Sequence, residues 1–145
     1  MNASATAAVP YAVGGVLALL TAVFLRVVGF DRDRAVYPTL LIVIACIYVL
    51  FAVLGGGSAL AVELIAMLGF TAVAVLGFRA NLWWVAAALA GHGVFDFVHS
   101  RLIANPGVPE WWPAFCGAYD VVFAACFAAL LLRGQRRSGG GRVSG

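Results

Sequence analysis

Residues 91–113 read GHGVFDFVHSRLIANPGVPEWWP and set His92, Asp96, His99 and Arg101 into a chain whose neighbouring segments are almost purely apolar. Imidazole nitrogens and carboxylate oxygens are donors for divalent metals, and imidazole also exchanges protons near neutral pH. With 100° per helical residue, His92, Asp96 and His99 at i, i+4 and i+7 project within about 40° of the His92 direction, so a helix carries them as one stripe. Arg101 points about 180° away, where it can snorkel to head groups. Ser100 lies about 80° off the stripe, which leaves no serine nucleophile beside a histidine and an acid.

Asp120 and Glu63 lie in neighbouring apolar segments. Counted at 1.5 Å per residue from the span ends, His92 lies about 15 Å deep, Asp120 about 10 Å and Glu63 about 6 Å. The expected polar cluster is therefore His92, Asp96, His99, Asp120 and Glu63, all in one half of the bilayer. An ionisable group at a helix centre costs about 2.5–3.5 kcal/mol on insertion scales, so each must be paired, neutralised or hydrated. Such residues mark functional sites, whereas polar pairs that only hold helices together contribute about 0.6 kcal/mol each. Asp96 and Asp120 are the deepest acids, and Glu63 is near enough to the interface to be hydrated. Cys116, one turn before Asp120, is a candidate ligand, although a small thiol also packs well. Tyr48, Cys46 and Thr71 are expected to pack.

The segments that must position these groups are five, each near the roughly 20 residues that cross a bilayer core. They cover residues 9–28, 36–54, 59–78, 82–103 and 113–132. Pro38 falls in a first turn, where its missing N–H costs little, and Asn81 is placed to cap the fourth segment. GGGS at 55–58 and NPGVPEWWP at 105–113 read as turn and loop. A four-span arrangement would leave one segment lying on the surface. The fold class expected is all-α, an integral membrane bundle of five transmembrane helices in one domain, 1–134. A disordered basic tail, 135–145, follows.

Hydrophobic residues make up 64% of the 145 and charged residues 10%, against about 25% charged in soluble domains, so the lipid bilayer is the expected partner. All nine basic residues are arginine, which with the abundant Ala, Gly and Val points to a high-GC bacterial genome. They fall between and after the apolar runs, as membrane topology requires, and no nucleic-acid site is read from them. Arg26, Arg32, Arg34, Arg79, Arg133, Arg136, Arg137 and Arg142 share one side and Arg101 lies towards the other. The positive-inside rule then puts the N-terminus outside and the C-terminus in the cytoplasm of a bacterial inner membrane. No Lys or Arg precedes the first apolar run, so that segment reads as a retained span and not a signal peptide. Cys46, Cys116 and Cys126 lie in apolar segments and suggest no disulfide framework. Trp83, Trp84, Trp111 and Trp112 fall where an aromatic belt would lie.

The run H-x3-D-x2-H, then NPGVPEWWPAFC, then the aspartate at 120, resembles a group of small uncharacterised bacterial integral membrane proteins. The likeness covers about a fifth of the chain. It implies a multi-span protein in which the loop and its flanking His and Asp belong together, and it implies no reaction.

Three functions fit the cluster. In the first, His and Asp at staggered depths relay protons and the protein transports a small solute or ion, with the loop as an outer gate and Glu110 as an entry charge. In the second, a divalent transition metal bound by His99, Asp96 and Asp120, with His92 behind them, supports an enzyme or redox protein. His92 and His99 are about 10.5 Å apart along the helix, too far for one ion to hold both, and on one face they cannot be the two axial ligands of one haem. In the third, the stripe docks a partner span and the protein is a non-catalytic accessory subunit. Symmetry for a transport path would come from a homo-oligomer, since five spans do not divide into equal inverted halves.

Overall fold

The computed structural model describes the backbone of residues 3–140 and the side chains of residues 6–136. Five helices make up nearly all of it: α1 (Ala3–Val28), α2 (Val36–Leu54), α3 (Leu60–Ala80), α4 (Leu82–Leu102) and α5 (Trp112–Gly140), with no strand among the described residues. Four stretches, Thr6–Val28, Val36–Leu54, Leu60–Ala80 and Trp112–Arg136, are long and apolar enough to cross a membrane. The chain thus has the make-up of a multi-pass membrane protein. α4 is as long as α3, 21 residues each, but its polar stripe makes it less apolar.

Local chemistry explains where the helices stop. Gly56 and Gly57 take φ of +91° and +84° after α2, a conformation with little cost only for glycine. The N–H of Gly55 then donates to the Phe51 carbonyl and that of Gly57 to the Ala52 carbonyl, both at 2.8 Å, closing the helix end. Between α3 and α4 stands one residue, Asn81, extended at φ −161°, ψ 116°. Its Oδ1 accepts from the Trp83 N–H at 3.0 Å, the cap expected from sequence. One connecting residue forces α3 and α4 into a tight antiparallel hairpin.

α4 is the inner helix. It packs against α3 on one side and α5 on the other and also touches α2, while α1 lies against α5 and α2 against α3. Its buried face runs through Val85, Ala86, Ala88, Leu89, His92, Gly93, Asp96 and His99, a stripe at helical spacing. The outer faces are apolar instead, with Val27 80%, Leu54 71% and Ile65 71% exposed. Polar groups inside and apolar groups outside are the reverse of a water-facing bundle, and they suit a lipid surround.

The loop end of the bundle holds the start of α1, the 55–59 turn and the 103–111 loop; the arginine end holds the 29–35 turn, Asn81 and the end of α5. An apolar core fills the part nearer the arginine end, where the Tyr37 ring stacks on Phe127 with centroids 3.7 Å apart, over Leu41, Leu89 and Phe123. Lipid tails are as apolar as these side chains, so close van der Waals contact and not exclusion from water holds them together.

The boundaries of α3 and α4 shift by one or two residues, and larger differences from the sequence expectation lie in α1, α5 and the tryptophans. α1 begins at Ala3, earlier than residue 9. α5 begins at Trp112 and continues to Gly140, into the tail expected to be disordered. Gln and Arg are good helix formers and basic residues suit a helix C-terminus, so the helix has no reason to stop at residue 132; residues 141–145 of that tail lie outside the described residues. Of the four tryptophans, Trp84 and Trp111 are exposed at 63% and 52%. Trp83 instead packs on the core, and Trp112 meets Phe51 edge to face at 5.1 Å.

Candidate functional site

The site begins with a close helix crossing. A Cβ added to Gly93 of α4 would lie 2.9 Å from the Gly117 carbonyl oxygen of α5, so the two backbones meet where neither carries a side chain. Three residues beyond Gly117, Asp120 is brought beneath α4, and its Oδ2 lies 2.7 Å from His92 Nδ1 in a buried hydrogen bond. Asp96, one turn along α4, places Oδ2 3.6 Å from the same nitrogen. One donor atom from each of His92, Asp96 and Asp120 falls within a 4.8 Å span. The Phe70 ring stands edge-on to His92 at 4.7 Å.

Nearer the loop end lies a second pair. His99 Nε2 is 2.8 Å from Glu63 Oε1, which also accepts from the Asn105 side-chain amide at 2.8 Å. Asn105 belongs to the 103–111 loop yet is buried: its amide nitrogen also donates to the Tyr48 carbonyl at 3.2 Å, and its Oδ1 accepts from the Gly107 N–H at 3.2 Å. The loop is thereby pinned onto the ends of α2 and α3. Tyr48 lies between the two pairs, its ring stacked on His99 with centroids 4.1 Å apart and 6.2 Å from that of His92.

Several polar atoms here have no hydrogen-bond partner among the described residues: both carboxylate oxygens of Asp96, Oδ1 of Asp120, Oε2 of Glu63 and the Tyr48 hydroxyl. The Tyr48 hydroxyl and the Cys116 thiol face Asp96 without reaching hydrogen-bond geometry. Two ionised carboxylates at the 4.8 Å limit would repel by about 3–4 kcal/mol at an effective dielectric of 20. Arg101 is exposed and gives no relief. Three buried acids against two histidines therefore call for protons or a cation from elsewhere.

A cleft of about 1000 Å³ opens at the loop end, and its walls include His99, Asn105, Glu110, Ser58 and Phe97. It reaches His99 and none of His92, Asp96 or Asp120. Towards the arginine end the next buried positions are Leu89 and Phe123, both wholly buried and apolar. The polar chain runs from an open mouth to a closed apolar floor.

All five residues of the expected cluster are buried: Glu63 and His99 at 1% exposure, His92 at 1%, Asp96 and Asp120 at 0%. They divide differently from the expectation. The set His99, Asp96 and Asp120 does not converge; His92 joins the two aspartates, because α5 crosses α4 at Gly93, closer to His92 than to His99. Glu63, expected near enough to the interface to be hydrated, is buried and enclosed by His99 and Asn105. Cys116 is buried and stands outside the converging trio. Sequence reasoning missed Asn105, whose place before Pro-Gly reads as a turn, and gave Tyr48 only a packing role. An asparagine one turn past a His-bearing helix and a tyrosine in mid-span were the signals available.

The chain matches no family model, no curated protein and no solved structure at a significant level.

Proposed function

We propose that the chain is a bacterial inner-membrane protein of five spans, N-terminus outside and C-terminus in the cytoplasm, that couples proton movement to transport of a small solute or ion. Two features support the fifth span. α4 has a length of about 30 Å, enough for the hydrocarbon core, and its polar stripe faces α2, α3 and α5 and not lipid. The arginines at one end supply the orientation.

The observation that carries the transport reading is the buried chain of His–carboxylate pairs under an open cleft. A proton arriving in the cleft meets His99 and Glu63 first, the pair that trades it with the entering bulk phase. The closed floor at Leu89 and Phe123 matters as much, since a polar wire through the whole bundle would leak protons without moving anything. Coupling requires that passage wait for the helices to rearrange.

Liposomes holding a pH-sensitive dye test this reading. Parent protein should change the lumenal pH faster than empty vesicles when Na⁺, K⁺ or first-row divalent cations are supplied in turn, and His99→Ala should fall to the background. A parent rate equal to empty vesicles with every ion overturns it. The alternative, a membrane-embedded metal-dependent enzyme or redox protein, is favoured by the convergence of His92, Asp96 and Asp120. It also needs a substrate beside the ion, and the cleft stops at His99.

A further inference from the structure

We infer that His92, Asp96 and Asp120 form a binding site for one divalent first-row transition-metal cation. The inference deepens the transport reading and rests on it for the cation's role as cargo; binding itself is measured independently of transport.

The geometry suits an ion. Bonds of about 2.0–2.2 Å from a metal to nitrogen and oxygen place tetrahedral ligand atoms about 3.4 Å apart. His92 Nδ1 and Asp96 Oδ2 are already 3.6 Å apart. His92 Nδ1 and Asp120 Oδ2, now hydrogen-bonded at 2.7 Å, need to part by about 0.7 Å, a small torsional adjustment of the two side chains.

The unpartnered atoms point the same way. Asp96 is wholly buried, and neither of its oxygens accepts a hydrogen bond among the described residues. Asp120 Oδ1 is in the same state. Buried carboxylate oxygens are costly without a well-formed hydrogen bond, and a cation between these groups would satisfy them. Two carboxylates and a divalent cation also sum to zero charge, which is the composition a low-dielectric interior tolerates best.

The donor set narrows the metal. One imidazole disfavours Na⁺, K⁺ and Ca²⁺, which take oxygen ligands, and with no thiolate in the trio Cu(I) is a poor match. Manganese, iron, cobalt and zinc in their divalent states fit one imidazole and two carboxylates. The His99–Glu63 pair offers two donors and Asn105 already occupies the shared oxygen, so the same argument does not extend to it.

Full-length protein purified in detergent without chelator is dialysed against Mn²⁺, Co²⁺ or Zn²⁺, and bound metal is measured by mass spectrometry. One equivalent per chain is expected for at least one of these ions, with loss in His92→Ala, Asp96→Asn and Asp120→Asn and retention in His99→Ala. Far-UV circular dichroism and gel filtration identify any variant that has not folded. Two readouts need only the parent: its melting temperature should rise with added metal, since the ion binds only the folded form, and bound Co²⁺ should show ligand-field bands with no thiolate charge-transfer band. A parent that binds none of the three, folded variants that bind as well as the parent, or a thiolate band overturns the site. Metal binding without proton movement in liposomes leaves the site standing and removes the transport reading; proton movement by a parent that binds no metal does the reverse.

Discussion

Replacing Gly93 with alanine tests the helix crossing on which the deep half of the site depends. The new Cβ would lie 2.9 Å from the Gly117 carbonyl oxygen, 2.9 Å from Val121 Cγ2 and 3.1 Å from Asp120 Cβ, where ordinary contact starts at 3.4 Å. The valine methyl can turn aside, but the carbonyl is backbone, so α5 must retreat by about half an ångström and take Asp120 with it. Overpacking of this kind costs about 1–3 kcal/mol. Alanine is also the better helix former by about 1 kcal/mol, which masks part of the loss in a single variant. Gly91 supplies the reference, because it lies on the same helix and an added Cβ there meets nothing within 4 Å. The propensity gain is common to both variants, so Gly93→Ala should be less stable than Gly91→Ala by about 1–3 kcal/mol. Unfolding in mixed micelles by SDS titration, followed by tryptophan fluorescence, measures the difference. Equal stabilities would show that α4 and α5 do not meet at Gly93 and Gly117, and the pairing of His92 with Asp120 would lose its basis.

Asn105→Ala removes two donated bonds and the acceptor for the Gly107 N–H, and it should cost about 1–3 kcal/mol and speed hydrogen exchange over residues 106–109; unchanged exchange would mean that the loop is held by other contacts. Asp96→Leu should reduce proton movement more than Glu63→Gln in the liposome assay, since glutamine keeps an oxygen that can accept from Asn105; equal, negligible effects would identify the cluster as structural filler. Reporters fused after Gly57 or Gly107 should read as periplasmic, and after Arg34, Arg79 or Ser138 as cytoplasmic; a cytoplasmic signal after Gly107 rejects the five-span topology.

The division of the cluster into a trio and a pair shows what the sequence could and could not disclose. That His92, Asp96 and His99 share a face follows from 3.6 residues per turn alone, and all three are buried on that face. Their approximate depth relative to Glu63 and Asp120 also follows from counting along the segments. Which acid meets which histidine depends on the rotation of α3 and α5 about their own axes and on where they cross α4, and the Gly93–Gly117 contact sets that crossing. Two glycines among 17 carry no mark of this in the sequence. Asn105 was hidden for a different reason: in NPG the turn chemistry and the side-chain role coincide, since its Oδ1 bonds Gly107 N–H while its amide reaches 42 residues back to Glu63. The 19 residues of α2 were placed to the residue, because Pro38 near its start and a glycine run at its end mark both boundaries.

The one-residue link at Asn81 has a consequence for how the chain is made. α4 is the helix least able to enter a bilayer by its own apolarity, yet it leaves the ribosome directly behind α3, and on the five-span topology proposed above the link allows the two to enter as a hairpin. Glu63 on α3 is then already waiting for His99, so the nearer pair can close during synthesis. His92 and Asp96 face each other at 3.6 Å on α4 but have no partner from another helix until a further 24 residues have been added and Asp120 arrives on α5. For that interval the pair on α4 lacks its third member, and the completion of the deep trio coincides with the arrival of the last helix. On that topology the order of translation makes α5 the helix that locks α4, the one made before it.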